Sequence, residues 1–235
     1  MLEVVVKDFV AWIIAFMVAK VPPGAPQYGG LAETKAETQA RYDSIAKDLS
    51  EVVVNEPPFY GGAHGYARTA SVMLSVAFFE SAFSKKVDIG LLKGDAGNSV
   101  CLMQLNVGKG RTRSWNKVTG KWAMPADKPD DVEQGWTASE LIADRKKCFL
   151  AAHRLMRTSI ASCSRLGPLE SLRTYTSGSC ESGSDASRRR MSVAIRWFDS
   201  HKPTFTNNDL LPIVIPAPAA PTPGDHESGK LSLLP

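Results

Sequence analysis

Apolar positions recur at helical spacing through most of the chain. From Ala67 to Phe83 the segment ARTASVMLSVAFFESAF sets Val72, Val76, Phe79 and Phe83 on one stripe, with Met73, Ala77, Glu80 and Ser84 beside it, which predicts a buried helix. Upstream, LAETKAETQARYDSIAKDLSEVV (31–53) is a polar helical run whose apolar stripe is Tyr42, Ile45, Ala46 and Leu49, and Pro57 and Pro58 end it. Downstream, Thr137 to Glu140 form a capping-box pattern, and Leu141, Cys148, Phe149, Ala152, Leu155, Met156 and Ile160 continue a helix that Gly167 and Pro168 close. A shorter helix through Leu169, Leu172 and Tyr175 runs into the turn TSGSCESGS. Asp185 can then cap a last helix bearing Met191, Ala194, Ile195, Trp197 and Phe198. Between the helices, residues 88–107 carry Gly90, Gly94 and Gly97 among short apolar runs and predict an irregular hairpin or glycine-rich loop. Residues 108–136 read as a further loop. The expected fold is mainly α, with one small β element and no internal repeat.

The ends differ from this pattern. Phe9 to Ala19 is an unbroken apolar run, but its eleven residues span only about half of a bilayer's hydrocarbon core. Its length suits a signal peptide and Pro22 and Pro23 follow it, yet Glu3 and Asp8 outweigh Lys7 in the leader. Two readings stand: an atypical signal or anchor touching a membrane, or an apolar helix packed on the domain. Seven of the fifteen prolines lie at or beyond Pro203, which predicts a flexible tail. The organisation read from the sequence is therefore 1–30 as apolar segment and Pro/Gly linker, 31–201 as one domain, and 202–235 as tail.

Composition narrows the partners. The chain has 235 residues, 43% of them hydrophobic and 22% charged, and 28 Lys plus Arg against 24 Asp plus Glu leave a net charge of +4. That is globular composition, and the surplus is too mild to argue for nucleic acid. A monomer is expected. The four cysteines, Cys101, Cys148, Cys163 and Cys180, form no CxxC and have no histidine at zinc spacing, so neither a metal nor another cofactor is expected. Were 138–163 one helix, Cys148 and Cys163 would lie about 22 Å apart, which favours Cys101 with Cys148 and Cys163 with Cys180. Two bridges suit an exported protein in an oxidising compartment. Four reduced thiols would suit a cytosolic one.

The candidate chemistry begins at Glu80. A carboxyl on an apolar face has its charged form destabilised and its proton affinity raised, so it can donate a proton near neutral pH, as glycosidic bond cleavage requires. The plainer reading is a partly buried Glu paired with Arg68, Lys85 or Lys86. The surrounding residues add context. Glu80-Ser81-Ala82-Phe83, the stretch GDAGNSVCLMQLN from Gly94 to Asn106, and Tyr175-Thr176-Ser177-Gly178 occur in the order of three motifs of the lysozyme-like superfamily. Residues 66–200 resemble the catalytic domain of soluble lytic transglycosylases and goose-type lysozymes.

The resemblance implies an α+β lysozyme-like fold and cleavage of the MurNAc-GlcNAc β-1,4 bond of peptidoglycan glycan strands, outside the cytoplasm, in periplasm or cell wall. Glu80 would be the general acid. Gln104, Tyr175 and Thr176 would contact substrate or position Glu80, and Ser81 would support the helix end. Asp95 matches an acidic position of the goose-type enzymes, where a second carboxylate serves inverting hydrolysis; their other candidate position holds Asn106 here, and an amide is no base. In lytic transglycosylases one Glu acts first as acid and then as base, and the muramic C6 hydroxyl attacks to give a 1,6-anhydro product. That route suits one assured carboxylate better. Cys101 stands where the family has Gly, and Thr176 and Ser177 replace Asn and Ala, departures that touch substrate contacts more than the acid. They also motivate a reading of another class, a wall-binding or structural module.

Other features have two readings each. Arg188, Arg189, Arg190 and Arg196 form either a basic face for anionic polymers or an ordinary solvated face. Trp115, Trp122 and Trp136 either stack on sugars or anchor their loop. The dispersed His64, His153, His201 and His226 lend no support to a Ser-His-Asp type of hydrolase.

Overall fold

The structure, a computed structural model, describes residues 2–26, 31–107, 114–116, 121–123 and 136–210. Its fold is mainly helical with a small antiparallel β element, as the periodicity predicts. The helices are α1 (Leu2–Lys20), α2 (Lys35–Asn55), α3 (Gly65–Ser81), α4 (Lys85–Asp88), α5 (Ala138–Ala143), α6 (Arg145–Ser162), α7 (Arg173–Ser177), α8 (Ser184–Ser200) and α9 (Asn207–Leu210). Strands β1 (Ser99–Val100) and β2 (Leu105–Asn106) pair antiparallel, Val100 opposite Leu105. Strands β3 (Ser114–Asn116) and β4 (Lys121–Ala123) make a second antiparallel pair with Trp115 opposite Trp122, so the segment read as loop contains two paired strands. The remainder of 108–135 lies outside the described residues.

α3 is the central element. Its residues Ala67, Ala70, Val72, Met73, Leu74 and Val76 are all buried, and α1, α2 and α8 pack around it. A helix apolar on every side must be enclosed. Its buried hydroxyls are paired: Ser71 and Ser81 donate to the carbonyls four residues back, and Ser75 donates to the Arg190 carbonyl (2.7 Å), tying α3 to α8.

The apolar N-terminal run is part of this core. Phe9, Ile13, Phe16 and Met17 of α1 are fully buried, and Tyr42 of α2 donates to the Val21 carbonyl at the end of α1 (2.9 Å). In the structure this segment is a helix packed against α2 and α3. At the other end the fold runs past the expected limit at 201. Phe205 and Leu210 are buried, and Asn207 takes the Tyr66 N–H (3.0 Å) and donates to the Gly62 carbonyl (2.9 Å). Residues 211–235, the rest of the expected tail, lie outside the described residues.

Three local expectations are corrected. The capping box at Thr137 and Glu140 forms, but the helix it opens ends at Ala143, and Asp144 caps a separate α6 by accepting from the N–H groups of Lys146 and Lys147. α8 is not capped by Asp185; the chain enters it through Gly183 in the left-handed region (φ 75°), and Asp185 lies in the first turn, where a negative charge suits the helix dipole. The shorter helix begins at Arg173, after a 3-10 turn at Pro168–Glu170. Both disulfides favoured by spacing are present, Cys101–Cys148 and Cys163–Cys180.

Candidate active site

Glu80 stands in the last turn of α3. The helix stops after Ser81 because the chain turns into the left-handed region at Ala82 (φ 47°) and Phe83 (φ 52°). The Ser81 hydroxyl holds this exit, accepting from the Phe83 N–H (3.3 Å) while donating to the Ala77 carbonyl (2.8 Å). The turn sends Phe83 into the core at 1% exposure and leaves Phe79 37% exposed, so the apolar stripe expected to hold both is split. Phe79 instead walls an open groove of about 400 Å³ together with Glu80, Ser81, Leu92, Lys93, Gly94 and Gln104.

The facing wall is the glycine-rich segment. A 3-10 turn at Asp95–Gly97 leads into β1, and the β1–β2 loop carries Cys101 and Gln104. Gln104 approaches Gly94 so closely that a Cβ there would lie 2.2 Å from Gln104 Oε1. The side chain's Nε2 donates to the Cys101 carbonyl (3.1 Å). Cys101 occupies the left-handed region (φ 59°), the conformation a glycine adopts without cost, and its bridge to Cys148 fastens the loop to α6. Every non-glycine residue with left-handed φ among the described residues, Ala82, Phe83, Asp95, Ala96, Cys101 and Gln104, lies in the two segments that build these walls, and Ala82 and Gln104 line the groove themselves. Such conformations cost free energy and cluster where the surrounding structure serves a site.

Glu80 is ion-paired, but not with Arg68, Lys85 or Lys86. Arg190 of α8 donates to Glu80 Oε1 from Nη2 (2.6 Å) and Nε (3.2 Å). Arg68 lies over the Phe198 ring instead, and Lys85 pairs with Glu33 (3.9 Å). Burial pushes the Glu80 carboxyl above the ordinary Glu range; Arg190 opposes that rise and the Asp95 charge adds to it. The carboxyl thus holds its proton more tightly than an exposed Glu even beside an arginine.

The remaining expected residues are placed unequally. Asp95 is exposed, and its Oδ2 accepts from the Ser99 hydroxyl (2.5 Å). Tyr175 stands behind the groove, its hydroxyl donating to the Met103 carbonyl (2.8 Å) and its proton affinity raised by burial and by the Glu80 charge. It therefore supports the β1–β2 loop. Thr176 does not join the groove; its hydroxyl faces the carbonyls of Arg173 (3.1 Å) and Gly183 (3.4 Å). The arginine run divides: Arg188 pairs with Glu170, Arg189 is exposed, and Arg190 meets Glu80. The inward register Ser187, Arg190, Ala194, Trp197 was the available signal for Arg190. Trp136 packs partly buried against the core, and the side chains of Trp115 and Trp122 lie outside the described residues.

Among the described residues no group of three or more His, Cys, Asp or Glu side chains converges to hold a metal ion, and no helix is long and apolar enough to cross a membrane. What the site can do is proton transfer: one carboxyl of raised proton affinity, at the end of a rigid helix, in a groove of a size that suits a small ligand or a polymer segment. Compared with models of known protein families, with curated proteins and with solved structures, the chain finds no match.

Proposed function

We propose that the chain is a glycosidase acting on peptidoglycan, cleaving the MurNAc-GlcNAc β-1,4 bond as a lytic transglycosylase with Glu80 as its one acid and base. The observation that carries this reading is Glu80 itself, a carboxyl with burial-raised proton affinity lining an open groove beside Gln104. In the first step Glu80 protonates the glycosidic oxygen as the bond to the anomeric carbon breaks. In the second the Glu80 carboxylate takes the proton of the muramic C6 hydroxyl while that oxygen bonds to the anomeric carbon. The product is a 1,6-anhydro sugar, and Glu80 ends as it began. Two disulfides fit work in an oxidising compartment, periplasmic or extracellular, where this substrate lies.

A hydrolytic variant has one observation in its favour: Asp95 is exposed and electrostatically coupled to Glu80. Against it, Asp95 does not line the groove that holds Glu80, where an inverting base would have to stand.

The test is digestion of purified peptidoglycan by the wild-type protein and by Glu80→Gln, with soluble muropeptides identified by mass spectrometry. Anhydromuramic ends from the wild type and a loss of at least a hundredfold in E80Q are expected. Reducing ends would transfer the mechanism to Asp95 and water. Binding to insoluble peptidoglycan without fragment release would make the chain a wall-binding module, and undiminished release by a folded E80Q would remove Glu80 from the chemistry.

A further inference from the structure

We infer that Arg190 is a positioning residue for Glu80: it holds the carboxyl through Oε1 alone, so that Oε2 is the atom that gives up and recovers the proton. The inference deepens the proposed glycan-cleaving function and rests on it for its catalytic meaning. Both Arg190 donors, Nη2 and Nε, fall on Oε1, while among the described residues none donates to Oε2. An arginine paired side-on with a carboxylate places one donor on each oxygen and occupies both. Here both donors of that edge converge on one oxygen, and the other stays available. Glu80 lines the groove whereas Arg190 does not, so the cation meets the carboxyl from the α8 side and leaves the groove side to a ligand.

Arg190 is itself fixed. Its Nη1 donates to the Ala186 carbonyl (3.0 Å), its guanidinium lies 5.4 Å from the centre of the Phe79 ring, and its own carbonyl accepts from Ser75 of α3. Its side chain is 13% exposed. A cation held by two contacts of its own, on a backbone that is itself tied to α3, is a preorganised one, which needs no rearrangement when charge develops on its partner.

The charged and titratable groups around Glu80 act in opposition. Burial and the Asp95 charge favour the protonated carboxyl, and Arg190 favours the carboxylate. Lys93 lines the same groove, and Tyr175 behind it stays neutral with its hydroxyl committed to Met103. A single carboxyl that must donate and then accept a proton needs both influences. Burial without the cation would make the carboxylate left after the first step too unfavourable. The cation without burial would release the proton before the glycosidic oxygen could take it.

The experiment compares wild type, Arg190→Lys and Arg190→Gln by two readouts. The first is the titration of the Glu80 carboxyl followed by carbon NMR in protein labelled at glutamate carboxyls, assigned by its absence in E80Q. The second is the pH profile of muropeptide release. In R190Q the Glu80 midpoint is expected to rise by at least one pH unit, a tenfold gain in proton affinity, with the alkaline limb of the rate moving by the same amount. At neutral pH kcat is expected to fall at least tenfold with KM little changed, and R190K should recover part of both effects. An unmoved Glu80 midpoint in folded R190Q overturns the inference, as does an unchanged kcat and pH profile. If R190Q is too unstable to study, E80Q/R190Q, which removes the unpaired buried carboxyl, should regain stability; failure to regain it would assign Arg190 a packing role and also overturn the inference. Should the wild type release no fragments, the proposed function fails separately, and the titration alone decides whether Arg190 governs the Glu80 proton.

Discussion

His153 lies on α6 fully buried, its ring 4.6 Å from that of Phe59 and both nitrogens without a hydrogen-bond partner. Burial, with Arg157 and Arg154 adding repulsion, lowers its pKa to about 4. The unfolded chain, with an ordinary histidine, binds the proton first. The native state therefore loses stability as pH falls below about 6.5, and the loss is complete once pH passes below about 4. A difference of that size corresponds to roughly 3 kcal/mol. Urea unfolding at pH 7.5 and at pH 4.5 should show the decline in wild type, and His153→Phe should flatten it; an equal slope in both proteins would place the acid sensitivity elsewhere. Glu80 is the opposite case of the same physics, a carboxyl whose burial raises its proton affinity. That contrast was half legible in the sequence. An acidic residue on an apolar helical face announces itself, and Glu80 was readable for that reason. The identity of its partner was not, because Arg190 lies 110 residues away and reaches Glu80 only once α3 and α8 pack together.

At the scale of elements, helices with strong periodicity were readable and their joints were not. The stripe of α2 and the capping box of α5 follow from local chemistry, whereas the break at Asp144 and the left-handed exit at Ala82 and Phe83 depend on what the neighbouring elements leave room for. The same exit puts Glu80 and Ser81 on the groove. Across from them, the loop holding Gln104 has a ladder of only two residue pairs, too short to be stable by itself, and the Cys101–Cys148 bridge compensates. That bridge spans 47 residues of sequence and the Cys163–Cys180 bridge spans 17. In the chain-entropy account the first stabilises by about 4 kcal/mol and the second by about 3 kcal/mol. Paired Cys→Ser substitutions should lower the melting temperature in both cases. Only C101S/C148S is expected to reduce muropeptide release per folded molecule by tenfold or more at a temperature where both variants remain native, since only that pair secures a groove wall. Equal specific activity of the two variants would show that β1 and β2 hold Gln104 unaided.

For the whole molecule the decisive question is what encloses α3. α2 covers one side and α8 another, but neither replaces α1, whose Phe9, Ile13, Phe16 and Met17 are fully buried. Phe16 meets the rings of Phe83 and Trp197, and Phe9 meets Phe205, so α1 joins the exit of the Glu80 helix to α8 and to the segment after it. Trp12 adds a hydrogen bond to the His201 carbonyl (2.6 Å). Burying four such side chains stabilises by roughly 6–12 kcal/mol, which is comparable with the whole stability of an ordinary domain. A chain starting after Lys20 should therefore fail to reach the native state, giving no cooperative thermal transition and no muropeptide release, even though Glu80, Arg190 and Gln104 are all retained. Adding a synthetic peptide of residues 1–20 to that truncated chain should restore a transition, because the packing is non-covalent. A cooperative, active protein lacking residues 1–20 would mean that α2 and α8 enclose α3 without help, and that the first helix is an appendage with its own task.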